Sequence, residues 1–455
     1  MSTAVDPYLT DASGFTGWAE RILVPASEAE LVDIVRAAGA SRTPVTIIGA
    51  RSGLTGGSVA QGGWAVSLER FNRLTIAQGY ADAGAAVTLL TLRDAAAPTG
   101  QFYAPDPTEI TASVGGTIAT NASGSRSFRY GSTRRHIESV RAIFADGRVA
   151  TFRRGDGIDF PVSPVPWPAT TKCTAGYPLQ PGMDYIDLLC GSEGTLGIIT
   201  EARVKLLPIP AHLFAAVVFF AADEDALNAV DAWRPVAGLR MLEYVDRNSL
   251  ELIEPRFPEI PARARATLLI EAEGEPDLDA WSDRLEATNA LADDSWFATS
   301  ASDRERFRRF RHALPEMVNA TVLQRGFMKM GTDYAVPIEK SREILAYYRE
   351  RLEAELPGRY VIYGHIGDAH AHVNMLPADD REASIAGGFL KEFAAKAVSL
   401  GGTVSAEHGL GKRKAKLLAL QYQPEHIAAM VEVKTRLDPH WLLGRGTLLP
   451  VPAGL

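Results

Sequence analysis

The sequence predicts an α+β protein of two domains, on three observations. Its 455 residues, at roughly 150 per folding unit, allow about three units or two large ones. The segment Pro208-Ile209-Pro210 interrupts the chain and reads as a domain boundary. The texture differs on its two sides. Before it lie three glycine-dense stretches. After it glycine thins out, and apolar strand-like runs (Phe214 to Phe220, Thr267 to Ile270) alternate with charged amphipathic helices (Leu278 to Leu291, Ile338 to Leu356).

Composition narrows the function classes. Apolar residues make up 46% and charged residues 22%, the mix of a globular chain with sizeable cores rather than a disordered one. A net charge of −8 argues against a nucleic-acid binder, which usually shows a basic face. The longest apolar run, Leu213 to Ala222, is half the length of a membrane span. Asp6, Asp11 and Glu20 stand where a secretory signal would need an apolar core, so a cytoplasmic protein is expected. Two cysteines, Cys173 and Cys190, exclude a disulfide framework and a cysteine-ligated iron–sulfur cluster built by this chain alone.

The elements follow in order. Ser27 and Glu30 form a capping box that opens a helix through Leu31, Ile34, Val35 and Ala38, and Gly39 stands where that helix is expected to end. Pro44 then leads into the β-rich run Val45 to Ile48, which feeds a loop with four glycines between Gly49 and Gly57. A second glycine stretch, Gly115 to Gly124, shows little obvious helix, and a third is Gly191 to Gly197. Exposed backbone N–H groups in such turns form concave anion sites. Arg51 breaks the G-x-G-x-x-G pattern, and no Gly-Lys-Ser/Thr follows, so neither a Rossmann nor a Walker site is signalled. Alone, the first loop reads equally as tight turns. Three close-approach segments together suggest a long phosphate-bearing ligand lying against backbone.

Four of the nine histidines fall between positions 365 and 408. Gly367-Asp368 reads as a two-residue turn folding His365 back towards His370 and His372, and His370, His372 and Asn374 share one face of the second strand. Glu407-His408 adds a carboxylate beside a fourth imidazole. His365 alone is most simply a core histidine. The cluster with Glu407 has two imidazoles, a carboxylate and open positions, which describes a catalytic divalent-metal site. The Arg304 to Arg311 run reads as a solvated helix face.

Several strings carry a family resemblance: Ile48-Gly-Ala-Arg-Ser-Gly-Leu-Thr-Gly-Gly57, Ala112-Ser-Val-Gly-Gly-Thr-Ile-Ala-Thr-Asn-Ala-Ser-Gly124, Tyr130-Gly131 and Gly191-Ser-Glu-Gly-Thr-Leu-Gly-Ile-Ile-Thr200. From about Tyr8 to about Pro450 the chain resembles the vanillyl-alcohol-oxidase / p-cresol-methylhydroxylase superfamily of FAD enzymes. Within it the chain is similar to the D-2-hydroxyacid dehydrogenase branch, which includes D-lactate dehydrogenase, D-2-hydroxyglutarate dehydrogenase and the glycolate-oxidase FAD subunit. The resemblance implies an α+β fold with a p-cresol-methylhydroxylase-type FAD-binding domain over 1–208. It implies a substrate cap domain with the metal site over 209–420 and a return to the FAD domain over 421–455. Gly49, Ala50, Arg51, Ser52, Gly53, Leu54, Thr55 and Ser58 would cradle the FAD pyrophosphate. Pro105, Thr111, Ser113, Gly115, Gly116, Asn121, Gly124, Glu193, Gly194 and Ile198 would line the flavin and its ribityl chain. Some relatives attach the flavin to a histidine of the first loop; this loop has none, so non-covalent FAD is expected.

Gly364-His-Ile-Gly-Asp368 with His372-Val-Asn374 resembles the branch's G-H-x-G-D-G-N-x-H-x-N signature, and Glu407-His408-Gly409 its E-H-G. Carried over, His365, His372 and Glu407 hold zinc or a similar divalent ion, His408 is the catalytic base and Asn374 touches substrate. The chain departs from the signature at Ala369 and His370, where Gly-Asn is usual; His370 is left as either a spare ligand or a supporting group. Arg311 resembles the arginine that anchors the substrate carboxylate, and Lys329 a second anchor. Lys434 to Pro439 resembles the final motif, but Leu443-Gly-Arg-Gly-Thr447 replaces the usual Leu-Asn-Pro-Gly-Lys. The basic run Lys412 to Lys416 is expected to flank an anionic pocket on a helix after His408.

The implied activity is oxidation of a D-2-hydroxy acid (D-lactate, D-2-hydroxyglutarate or glycolate). The metal acts as Lewis acid, His408 takes the hydroxyl proton and the C2 hydride passes to flavin N5. Electrons then leave to a separate quinone, cytochrome, electron-transfer flavoprotein or oxygen. No nucleic-acid partner and no transmembrane segment are expected, and a homodimer is admitted. The rivals are a metal-dependent hydrolase using the same cluster and a non-catalytic nucleotide-binding module.

Overall fold

The computed structural model describes residues 6–452 and 454; positions 1–5, 453 and 455 of the expected first and last segments lie outside the described residues. The first helix, Glu28–Ser41, is capped by Ser27, whose side chain accepts from the Glu30 N–H. The Glu30 carboxylate accepts from the Ala26 N–H at 2.7 Å, so the expected box closes one residue earlier than Ser27. The helix also runs past Gly39 and ends at Arg42 in the left-handed region. Gly39 lies instead against Leu442, 3.6 Å from where its Cβ would be. Leu31, Val35 and Ala38 bury the helix against Val45, Val66 and Leu443.

The first half carries three sheets, the smallest pairing Gln101–Phe102 with Leu207–Pro208. Strands Arg21–Leu23, Trp64–Ser67 and Val45–Ile48 pair in parallel. Leu74–Ala77, Tyr80–Gly84, Ile198–Lys205, Ile137–Ile143 and Val149–Arg153 form a five-stranded antiparallel sheet in that order. The chain returns to the parallel sheet near its end, where Val45 pairs with Leu443. The Val45 N–H donates to Leu442 O at 2.7 Å and the Gly444 N–H to Val45 O at 2.9 Å. Lys434 secures this return: its buried ammonium donates to Thr195 O at 2.6 Å and Leu443 O at 2.9 Å and pairs with Asp438 at 2.5 Å.

The second domain is built on a seven-stranded antiparallel sheet. Its order is Trp296–Phe297, Leu213–Phe220, Ala266–Glu273, Leu239–Asp246, Tyr360–His365, His370–Met375 and Met330–Gly331. The helices after Pro210 fall near their expected places, at Leu278–Ala287 and Ser341–Glu355. The glycine stretch at 115–124 holds a helix that the sequence did not announce, Val114–Thr120. Two adjacent glycines are poor helix formers. Here Gly115 allows an approach to Ala85 so close that a Cβ would stand 2.7 Å from the Ala85 Cβ. The two domains share one apolar core, continuous from Val114, Leu189 and Leu206 to Phe220, Tyr348 and Phe393. Among the described residues no helix is long and apolar enough to cross a membrane.

Candidate active site

Two neighbouring strands of the large sheet carry His365, His370 and His372, and the strand beside them carries Glu243. His365 and His370 face each other across the hairpin, as do Tyr363 and His372. The connection is longer than the expected two-residue turn: Ile366–Asp368 forms a 3-10 turn closed by Ala369 in the left-handed region. At Gly364, with φ +130, a Cβ would meet His372 Cδ2 at 2.8 Å, so the absent side chain is what lets the imidazole lie over the neighbouring strand. Glu243 lies one step past the last ladder pair, Tyr244 with Gly364, and its Oε1 sits 2.5 Å from His365 Nδ1.

That contact fixes a tautomer. His365 donates Nδ1–H to Glu243 and turns Nε2 towards Glu407 Oε1 at 3.3 Å. His372 donates Nδ1–H to Thr332 O at 3.0 Å and turns Nε2 to the same oxygen at 3.4 Å. Both imidazoles thus turn Nε2 towards one carboxylate oxygen, and in its neutral form each would offer a lone pair to an ion placed between them. In a tetrahedral site with bonds of about 2.05 Å, adjacent ligand atoms stand about 3.4 Å apart, and these separations match. A carboxylate or carbonyl behind each imidazole is the usual support of a metal-binding histidine. The residues present therefore fit a divalent ion. The other Glu407 oxygen is occupied by Ser123 Oγ at 3.1 Å and by Lys172 Nζ at 3.3 Å. Burial raises the Glu407 carboxyl, but Lys172 and His365 outweigh it and hold it well below the ordinary range.

His408 stacks on His372 with ring centroids 5.4 Å apart and an angle of 11°. Its Nε2 is 3.6 Å from Glu407 and its Nδ1 3.7 Å from Asp333. Burial pushes its imidazolium down to about 4, so the ring is neutral near pH 7 and able to accept a proton. Asp333 sets the segment's path, accepting the backbone N–H groups of Glu407 and His408 at 3.2 Å and 2.9 Å. His370 stands behind the others, wholly buried. Its Nε2 is 3.3 Å from Asp333 Oδ1 but out of hydrogen-bonding alignment, and neither ring nitrogen has a partner.

These groups open into a cleft of about 670 Å³ that also runs along the glycine loop. Every residue of the first predicted set, Gly49 to Thr55 and Ser58, lines it, as do Ser113, Gly115, Gly116, Glu193, Gly194 and Ile198. Pro105, Thr111, Asn121 and Gly124 stand outside its wall. Asn121 caps the Val114–Thr120 helix and accepts the Arg134 N–H at 3.0 Å. Thr111 bonds Glu109 at 2.6 Å. A Cβ on Gly124 would fall 1.9 Å from Asp106 O, so that glycine serves a chain crossing. The cleft fits a long ligand held against backbone: at Gly194, on its wall, a Cβ would meet nothing within 4 Å.

At the other end the cleft is lined by Arg311, Lys329 and Asn374. Arg311 belongs to the helix Ala301–Gln324. Exposed Arg308 pairs with Glu305 as a solvated face should, but Arg311 turns inward and its Nε pairs with Glu243 Oε2 at 3.0 Å. Burial and the Lys414 ammonium push Lys329 down to about 8. The basic run after His408 forms turns and the short 3-10 helix Ala415–Leu417; Lys414 lines the cleft, and Lys412 bonds Gly57 O at 3.1 Å. Sequence reasoning missed Glu243, Asp333 and Lys172. A lone glutamate in the apolar run Met241 to Val245 was the available signal for the first. Lys172 sits in irregular chain with no periodic cue.

Residues 19–153 match the FAD binding domain family, and residues 209–448 match the family of FAD linked oxidases, C-terminal domain. The chain belongs to the FAD-linked oxidases. Like them it is an FAD-binding oxidoreductase. It is 31% identical to a D-lactate dehydrogenase of Archaeoglobus fulgidus over 94% of this chain and 91% of that one. It is 28% identical to a D-2-hydroxyglutarate dehydrogenase of Xanthomonas citri pv. viticola (95% and 91%) and to the glycolate oxidase subunit GlcD of Bacillus subtilis (94% and 88%). Among solved structures, alkyldihydroxyacetonephosphate synthase superposes with a TM-score of 0.66 at 16% identity, covering 93% of this chain and 75% of that one. That likeness concerns the fold alone.

Proposed function

We propose that this FAD-linked oxidase converts a D-2-hydroxy acid, of the D-lactate, glycolate or D-2-hydroxyglutarate kind, to the 2-oxo acid and passes electrons to a separate acceptor. The observation carrying this reading is that His365, His372, Glu407 and His408 converge on the cleft that also runs along the glycine loop. Residues 1–208 and 421–455 would form the FAD-binding unit and 209–420 the substrate cap. When bound, the flavin supplies a hydride acceptor and a divalent ion such as zinc supplies a Lewis acid.

The chain's own residues do the rest. His365, His372 and Glu407 hold the ion. The guanidinium edge of Arg311 that is not committed to Glu243, together with Lys329, orients the substrate carboxylate. Asn374, beside them on the strand, contacts the substrate through its amide. His408, neutral and 25% exposed on its side chain, takes the proton of the 2-hydroxyl. Asp333 behind its Nδ1 stabilises the imidazolium that results.

The test is a panel of D-lactate, glycolate and D-2-hydroxyglutarate with an artificial electron acceptor. Anaerobic bleaching of the flavin by at least one of them is expected. A yellow protein that none of these acids or their longer homologues reduces would overturn the reading. His372→Ala is expected to lose bound metal by elemental analysis and, with it, flavin reduction by substrate.

A further inference from the structure

The three histidines of the hairpin differ in what satisfies them. His365 has Glu243 and His372 has Thr332 O. His370 has no partner on either nitrogen although it is 0% exposed. A buried polar group left unpaired keeps its full desolvation penalty, and native interiors rarely hold one without a water or an ion to receive it.

We infer that His370 is a third imidazole ligand, so that this chain holds its divalent ion with His365, His370, His372 and Glu407. The inference rests on the metal site proposed above and deepens it. Each of these four residues offers a ligand atom, and the four atoms lie within 4.8 Å of one another. Ligand atoms around one ion with bonds of about 2.1 Å stand about 3.4 Å apart when tetrahedral and about 4.2 Å apart when opposite, so closing the set takes between about half an ångström and about 1.5 Å. The imidazoles of His370 and His372 are already packed edge to face, with centroids 4.3 Å apart.

Access separates the ligands in the same way. His365, His372 and Glu407 lie on the cleft wall, and His370 does not. It approaches the ion from the protein side, which leaves the positions facing Arg311, Lys329 and Asn374 for the hydroxyl and one carboxylate oxygen of substrate. Three nitrogens and one oxygen favour zinc, cobalt or nickel over the oxygen-seeking manganese and magnesium. With asparagine at this position the set has one fewer nitrogen and a weaker preference. The competing role for His370 is to brace Asp333, 3.3 Å away, and it predicts an ion with two imidazoles only.

Full-length protein, stripped with chelator and reloaded with zinc, should show three imidazoles around the metal by X-ray absorption. His370→Asn should show two. Titration with cobalt should weaken by at least about tenfold in that variant, with manganese gaining relative to zinc. Retained FAD absorbance, read on the same samples, reports that the variant is folded. Two imidazoles in the parent protein, or equal cobalt affinity in parent and variant, overturn the role of His370 and leave the three-residue site standing. A parent protein that binds no divalent ion overturns both. If the variant fails to fold, the count in the parent protein decides alone.

Discussion

The Glu193 carboxylate accepts the backbone N–H of Gly411, 218 residues away, at 2.8 Å, and its other oxygen accepts that of Leu410 at the same distance. It thereby ties the third glycine stretch to the segment that carries Glu407 and His408. Gly409 must be glycine for this: its Cβ, at φ +75, would stand 2.8 Å from the Glu193 Cδ.

The burial of this carboxyl, which the two backbone hydrogen bonds oppose, sets a pH dependence. Burial pushes the Glu193 carboxyl up to about 7, against an ordinary value of 4.5. A folded-state value above the unfolded one means that the folded chain binds the proton more tightly. Stability from this group is full below about 4.5 and is lost as the pH rises through about 7. For the FAD-free protein, urea denaturation should show the parent losing up to about 3 kcal/mol relative to Glu193→Gln over that window. Parallel pH profiles for the two proteins would remove Glu193 as the cause.

Glu243 is expected to act on the metal through His365. Glu243→Gln keeps the shape but removes the charge that holds the imidazole and Arg311. Metal affinity should fall about 10–100-fold. The apparent KM for substrate should rise as well, because Arg311 loses its brace. Calorimetric titration of zinc into parent and variant checks the first effect, and steady-state kinetics the second.

His408 and Glu407 are adjacent but should separate cleanly. His408→Ala is expected to retain FAD and metal while the rate of flavin reduction by substrate falls about 10²–10⁴-fold. Reoxidation of chemically reduced enzyme should be spared. Stopped-flow bleaching measures the first and an oxidant pulse the second. Near-parental reduction would move the base elsewhere.

The flavin should be bound without a covalent link, since no histidine stands in the Gly49 to Ser58 loop. Acid or heat precipitation of purified protein should release the yellow colour into the supernatant. Colour that stays with the pellet would contradict this.

Local signals carried the readings that came true from sequence. Ser27 caps its helix because its side chain and the Glu30 N–H are three residues apart, and the hairpin brings His365 against His370 because strand alternation is a local rule. What escaped is non-local. Glu243 matters through His365 and Arg311, which are 122 and 68 residues away. Gly39 looked like a helix end, yet the tail packs Leu442 on it and the helix continues. Gly115 and Gly116 hid a helix whose justification is the contact with Ala85. Lys172 reaches Glu407 across 235 residues, a distance over which no spacing rule operates.

The pairing of Val45 with Leu443 also has a consequence for biosynthesis. The two partners leave the ribosome nearly four hundred residues apart. At about 5–20 residues per second that interval is roughly 20–80 s. Throughout it the parallel sheet lacks its last partner, while the large antiparallel sheet is being made and can fold. Completion of the flavin-binding half therefore waits until Leu443 has been made. A nascent chain stalled before Lys434 should present an unfinished cradle to free flavin, and ribosome-bound intermediates of increasing length should gain protease resistance in the middle of the sequence before they gain it at the beginning.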